Sequence, residues 1–136
     1  MNIAKNFHKK TDEGDVSVDL DPNRMPEPND LDGYIRRGWL FHSKGLQEKA
    51  QADFQKALQL APDSVDATYV LGLVFKAQAR KQETIQSFQR VIELLDRGEL
   101  ENRTRAAMLR RFALGHINQI STGDWNLEEQ IWHRRR

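Results

Sequence analysis

Two consecutive stretches of equal length decide the fold of this chain of 136 residues. Residues 31–64 read LDGYIRRGWLFHSKGLQEKAQADFQKALQLAPDS, and residues 65–98 read VDATYVLGLVFKAQARKQETIQSFQRVIELLDRG. When the second stretch is aligned with the first, identical residues recur at the same positions. Among these pairs are Gly38 with Gly72, Phe41 with Phe75, Phe54 with Phe88, Gln55 with Gln89 and Leu60 with Leu94. A fixed period of this kind indicates an array of repeated structural units.

The apolar residues after Asp30 recur at helical spacing. Glycine and proline interrupt this pattern, because proline cannot continue a helix and glycine readily takes the left-handed conformation that ends one. The predicted breaks are Gly45, Pro62, Gly98 and Gly123. Asp30 is expected to cap the first helix, and Asp63 or Ser64 the third. The pattern therefore predicts an all-α fold of six helices arranged as three hairpins.

The repeat resembles the tetratricopeptide-repeat (TPR) family, whose signature W-x₂-L-G-x₂-Y…A-x₃-F…P has the same period. The signature positions of the first repeat hold Tyr34, Arg37, Gly38, Phe41, Ala50, Phe54 and Pro62. Those of the second hold Thr68, Leu71, Gly72, Phe75, Thr84, Phe88 and Asp96. Small glycines let paired helices approach closely, and the phenylalanine rings fill the gaps between hairpins. The resemblance implies a right-handed superhelix with a concave groove for a peptide segment.

Some residues depart from the signature at positions where the helices pack. Arg37 stands where leucine is usual, and Thr68 stands where a large aromatic residue is usual. We expect the first pair of helices to pack loosely at this point.

A third, divergent repeat is predicted at about residues 102–136. Leu114 and Gly115 look like a copy of Leu71 and Gly72, but they follow nine residues later than the period requires. We expect a helix about one turn longer before Gly98 and an early start of the next helix near residue 102.

The end of the third repeat is predicted to be a closing helix in the segment WNLEEQIWH. Its apolar stripe is formed by Trp125, Leu127, Ile131 and Trp132. Stacked repeats need a polar cap at their ends, and no separate capping helix follows this one. An exposed apolar face at the end of the stack would favour self-association.

Residues 1–30 differ in character from the TPR domain predicted at residues 31–136. They hold four Lys or Arg against seven Asp or Glu, three prolines and few large apolar residues. Such a segment buries too little surface to offset the entropy of ordering. It is expected to be a flexible acidic arm, either without a role of its own or ordering when it docks on a partner.

The overall composition narrows the class of protein. Lys and Arg number 21 against 20 Asp and Glu, so that the net charge of +1 provides no field that would attract nucleic acid. The arginines of the last third are interpreted as a solvated face, the alternative being a contact surface for nucleic acid or an acidic protein. Cysteine is absent, which excludes thiol chemistry and disulfides. Without a signal-like or membrane-spanning segment, the chain is expected to be soluble and cytoplasmic.

The resemblance also implies where a ligand would bind, because the first helix of each TPR hairpin lines the concave groove. The candidate groove residues are Ile35, Trp39, His42, Tyr69, Leu73, Lys76, Phe112, His116 and Gln119. The family's clamp for a terminal carboxylate is disfavoured, because Ile35, Trp39 and Val70 occupy its positions and none is a charged or amide donor. Trp39 is left open between a groove residue and a core residue.

No catalytic motif, metal-binding spacing or cofactor loop is present in the sequence. The four histidines, His8, His42, His116 and His133, are scattered, although His42 and His116 could share the groove and titrate near the ordinary pKa of about 6.5. We therefore expect a scaffold or adaptor that binds a partner protein without catalysis. The alternative is a structural subunit of a larger complex or homo-oligomer, assembled through the uncapped end and the N-terminal arm.

Overall fold

The computed structural model describes residues 20–125, which contain five α-helices and no β-strand. A single turn of 3₁₀ helix at Pro22–Arg24 precedes them. The α-helices are α1 (Leu31–Ser43), α2 (Gln47–Leu60), α3 (Val65–Ala77), α4 (Lys81–Asp96) and α5 (Arg103–Thr122). The all-α prediction is confirmed for this part of the chain. Residues 1–19 and 126–136, which include most of the predicted closing helix, lie outside the described residues.

Polar side chains begin the first helix of each repeat, as the sequence predicts. The carboxylate of Asp30 accepts a hydrogen bond of 2.8 Å from the backbone N–H of Gly33. The hydroxyl of Ser64 accepts one of 3.1 Å from the backbone N–H of Ala67. Asn102 caps α5 in the same way. Each cap satisfies a backbone donor that has no partner within its helix.

Each helix packs against the next along the chain, so that α1 with α2 and α3 with α4 form two helical hairpins. Glycine makes both pairings close. A β-carbon on Gly38 would lie 2.5 Å from Cε1 of Phe54, and one on Gly72 would lie 2.9 Å from Cζ of Phe88. Because both rings are fully buried, neither can move aside without disturbing the core.

The nine surplus residues that precede Gly115 are distributed over three places. Helix α4 is two residues longer than α2, and the connection that follows it is two residues longer than the one between α2 and α3. The remaining five lie at the start of α5, where Gly115 is the thirteenth residue of its helix and Gly72 is the eighth of α3. The early start of α5 is confirmed, whereas α4 is extended by only about half a turn.

The loose packing expected at Arg37 is wrong. The Arg37 guanidinium donates from Nε to Asp53 Oδ2 at 2.8 Å and from Nη2 to Asp53 Oδ1 at 2.7 Å. This two-bond pair joins α1 to α2, and only 13% of the Arg37 side chain and 4% of the Asp53 side chain are exposed. Its hydrogen bonds to Asp53 raise the pKa of Arg37. Thr68 is also well packed, because its buried hydroxyl donates to the carbonyl of Ser64 at 2.8 Å.

Part of the predicted N-terminal arm contacts the first hairpin. Pro22 is buried, and Glu27 accepts a hydrogen bond of 2.9 Å from the Tyr34 hydroxyl and pairs with Arg37 at 3.2 Å. Asn23 bonds to Lys49 on α2. The predicted arm therefore does not stay separate up to residue 30, because Pro22 and Glu27 pack against or bond to the first repeat.

Candidate functional site

The candidate groove residues lie on α1, α3 and α5, and we use the name groove face for this set of residues. It is defined by Ile35, Trp39, His42, Tyr69, Leu73, Lys76, Phe112, His116 and Gln119. These three helices are brought together by the hairpin order, because α1 contacts α3, while α3 and α5 both pack against α4. The structure divides the nine side chains into an aromatic pair, a polar cluster, two core residues and one isolated ring.

The aromatic pair lies on α1. The Trp39 side chain is 41% exposed, and its ring meets the ring of His42 edge-on with 5.6 Å between the ring centroids. Its other neighbour is the buried ring of Phe54, at 6.3 Å. Nδ1 of His42 forms a hydrogen bond of 2.7 Å with the side-chain oxygen of Gln47. Trp39 is therefore supported from beneath by the core but presents much of its surface to solvent.

Ile35 and Leu73 contribute mainly to packing. Ile35 is partly buried against the core formed around Phe54, and Leu73 against the core formed around Phe88. Phe112 is 41% exposed and stands at the position equivalent to Tyr69 in the preceding repeat. Tyr69 is covered because α5 follows its repeat, whereas no described helix follows Phe112.

The polar cluster joins α3 to α5. Lys76 Nζ lies 3.0 Å from His116 Nδ1 and donates to Gln119 Oε1 at 2.6 Å. The Tyr69 hydroxyl lies 3.3 Å from His116 Nε2. Beneath them, the His116 ring stacks on the buried Phe88 ring with 4.5 Å between centroids. Four of the nine candidate residues thus form one connected group, and no hydrogen bond or ring contact among the described residues joins it to Trp39 and His42.

The hydrogen bonds fix which nitrogen of His116 carries the proton. An ammonium group can only donate, so Nδ1 accepts from Lys76, and Nε2–H then points to the Tyr69 oxygen. Burial, and next the positive charge of Lys76, lower the pKa of His116 to about 4. Titration of His116 near the ordinary value, as the sequence suggested, is therefore wrong. The cluster holds a neutral imidazole at neutral pH.

Trp125 is a neighbour of the groove face that sequence reasoning assigned to the end of the stack. Its ring meets that of His116 edge-on at 4.8 Å, and Lys76 Nζ lies 6.0 Å from its centroid. It also lies against Gly115, where a β-carbon would be 2.0 Å from its Cε2. The signal in the sequence was the glycine itself, since both earlier glycines face an aromatic ring.

A second surface feature, lined by residues that do not belong to the groove face, was not predicted from the sequence. An open cleft of about 700 Å³ is lined by α2 and by the turn between α3 and α4. Its polar wall includes Gln47, Gln51, Gln55 and Arg80. The Arg80 guanidinium is already bonded to Glu83 and, at 3.0 Å, to Gln51 Oε1. The positive charge of Arg80 in this cleft is therefore already paired within the protein.

Among residues 20–125, no group of three or more His, Cys, Asp or Glu is arranged to hold a metal ion. None of the five described helices has the length and apolar character needed to cross a membrane.

Comparison with known proteins identifies the repeat. A family model described as the tetratricopeptide repeat matches residues 31–64. No curated protein matches the chain significantly. The matched stretch contains α1, α2 and the Gly38–Phe54 contact, and α3 with α4 repeats the same hairpin and the same contact one period later. Residues 31–64 are thus a tetratricopeptide repeat, and the hairpin of α3 and α4 is built in the same way.

Proposed function

We propose that the chain is a protein-interaction scaffold, or adaptor, that binds a segment of a partner protein along the groove face and performs no catalysis. TPR repeats generally mediate binding to other proteins. The observation that carries the proposal here is the 41% exposure of Trp39 at a groove position. A tryptophan held by a rigid core and open to solvent is the kind of side chain that dominates binding energy at protein interfaces.

The proposed mechanism is burial of partner side chains against Trp39 and the polar cluster. Trp39 offers a large apolar surface, while the exposed Gln119 offers amide groups for the partner backbone. Lys76 is the cation of this face, and its ammonium group donates to His116 and Gln119. The groove face therefore suits a segment that combines apolar anchors with polar or acidic positions.

Photocrosslinking from position 39 tests the proposal. A photoreactive phenylalanine analogue replaces Trp39 in one variant and Gln55 in the control, because Gln55 is exposed on α2 outside the groove face. We expect an adduct of discrete mass in cells only from position 39, identified by mass spectrometry. Binding of the purified partner should then weaken at least about tenfold in W39A, with little change in helicity. Equal capture at both positions, or unchanged affinity, would contradict the proposal.

The second candidate function is a structural subunit of a larger complex or homo-oligomer. It is favoured by a specific observation, because Met108 and Phe112 on α5 are 46% and 41% exposed. Their equivalents in the second repeat, Val65 and Tyr69, pack against the core that includes α5. A contiguous apolar face of this kind is a common site of association.

Size-exclusion chromatography with light scattering separates the two functions. A permanent subunit predicts a dimer or larger species at micromolar concentration that M108S/F112S converts to monomer. An adaptor predicts a monomer for the wild-type chain. In the second candidate function, the N-terminal arm (residues 1–30) also contributes to assembly. A variant that lacks residues 1–19 tests whether this part of the arm is needed.

A further inference from the structure

Three glycines of the chain each face one aromatic ring. Gly38 faces Phe54 and Gly72 faces Phe88, and in both pairs the ring follows its glycine by sixteen residues. Gly115 faces Trp125, which follows it by only ten. The third glycine is therefore covered from a different position in the chain than the first two.

Trp125 also differs from the other two rings in its exposure. Phe54 and Phe88 are 0% exposed and form the centre of their cores, whereas Trp125 is 36% exposed. The chain reaches this position because Gly123 ends α5 in the left-handed conformation, at a φ of +80°, and reverses the backbone. Trp125 is thus a side chain laid on the surface of α5, and not an element of the core.

The surface beneath Trp125 has the properties of a site for an aromatic ring. Gly115 supplies a floor without a side chain, and the neutral ring of His116 supplies an edge-on wall at 4.8 Å. Lys76 supplies a cation 6.0 Å from the ring centroid, a geometry that favours electron-rich rings such as indole. His116 is held in place by Tyr69 and by its stack on Phe88.

We propose that Gly115, His116 and Lys76 form an aromatic-binding subsite of the groove face, which Trp125 occupies in the free protein and which a partner segment takes over with an aromatic side chain of its own. The proposal rests on the proposed scaffold function and names the chemistry of its partner. Two of the three residues are groove-face positions, so a segment that lies along this face meets Trp125.

The exchange is energetically feasible because Trp125 is a tethered competitor. A side chain on a short tether acts at an effective concentration on the order of millimolar. A partner segment that already contacts Trp39 gains the same kind of advantage for its own aromatic residue. The replaced and the new contacts are of one type, so the net cost of the exchange is small.

N-acetyl-tryptophanamide is the probe, and amide NMR shifts of Gly115 and His116 in the full chain are the readout. We expect these amides to shift in W125A at probe concentrations at least about tenfold lower than in the wild type, since the internal competitor is gone. In W125A/G115L the shifts should disappear, because the leucine side chain fills the floor of the subsite.

Two results would overturn the proposal. Equal probe dependence in the wild type and W125A, or no shift in W125A, would show that the surface under Trp125 is not an aromatic subsite. Loss of the fold in W125A, seen by circular dichroism, would show that Trp125 is a core residue like Phe88.

The partner captured at position 39 distinguishes this proposal from the scaffold function. If the exchange occurs, that partner binds W125A more tightly than the wild type, by up to about tenfold. Capture at position 39 with unchanged affinity in W125A would leave the scaffold function standing and overturn the exchange. If the probe binds but no partner is captured at position 39, there is no partner segment to replace Trp125, and the proposal is overturned as well.

Discussion

Arg37 and Asp53 form a two-bond ion pair inside the first hairpin, with N–O distances of 2.8 and 2.7 Å. The equivalent positions of the second hairpin hold Leu71 and Ser87. The salt bridge of the first repeat thus stands where the second repeat has a leucine and a serine. Buried ion pairs and apolar contacts of similar volume often have similar stabilities, because desolvation offsets much of the charge attraction.

This relationship predicts a non-additive pair of substitutions. R37L leaves the buried Asp53 carboxylate without its partner and should lower the free energy of unfolding by about 3–5 kcal/mol. D53S should cost less, because Arg37 keeps its contact with Glu27 at 3.2 Å. The double variant R37L/D53S recreates the pair of the second repeat and should lie within about 1 kcal/mol of the wild type. Urea denaturation of all four proteins measures this coupling, and additive losses would refute it.

The salt bridge illustrates what the sequence could not provide. Arg37 was recognised as a departure from the repeat pattern, but its partner is sixteen residues away and carries no signal of burial. Only the packing of α1 on α2 shows that the Asp53 carboxylate faces the guanidinium. From the signature alone, Arg37 therefore predicts a packing defect, because the residue that compensates for it, Asp53, is not a signature position.

The glycine and aromatic spacing, by contrast, was sufficient to predict the hairpins. Gly38 and Phe54 recur as Gly72 and Phe88, and the close approach of paired helices that the glycines predict is present. The spacing failed where the period itself changes. The contact of Trp125 with Gly115 does not follow from a fixed offset, because it depends on the length of α5 and on the reversal of the chain behind it.

The turn between α3 and α4 offers a second prediction. Ala79 has a φ of +58° and stands at the position of Gly45, whose φ is +78°. The left-handed conformation costs an alanine about 1–2 kcal/mol, because its β-carbon crowds the following carbonyl oxygen. A79G removes this strain, but it also increases the entropy of the unfolded chain, which lowers the stability by about 0.4–1 kcal/mol. We expect a net stabilisation of about 0.5–1 kcal/mol.

The adjacent residue provides the control for A79G. Gln78 has a φ of −84°, which any residue adopts, so that Q78G should only destabilise. Thermal unfolding of both variants and the wild type measures the two effects. A79G that is no more stable than the wild type would show that position 79 is not strained.

The buried imidazole of His116 predicts how stability depends on pH. Burial and Lys76 lower the pKa of His116 to about 4 in the folded chain, whereas an unfolded histidine has a pKa of about 6.5. Between these values the unfolded chain binds a proton that the native chain does not, so stability falls as the pH drops from about 6.5 towards 4. Since the ring is partly exposed, we expect a loss of about 1–2 kcal/mol.

H116Q isolates this contribution, because glutamine does not titrate and its amide oxygen can still accept a hydrogen bond from Lys76. The difference in unfolding free energy between the wild type and H116Q should be constant above pH 7 and should shift against the wild type between about pH 6.5 and 4. NMR titration of the His116 ring gives the folded pKa directly. A value near 6.5, or parallel stability profiles for the two proteins, would mean that the imidazole is solvated. Its stack on Phe88 and its contact with Trp125 would then not persist in solution.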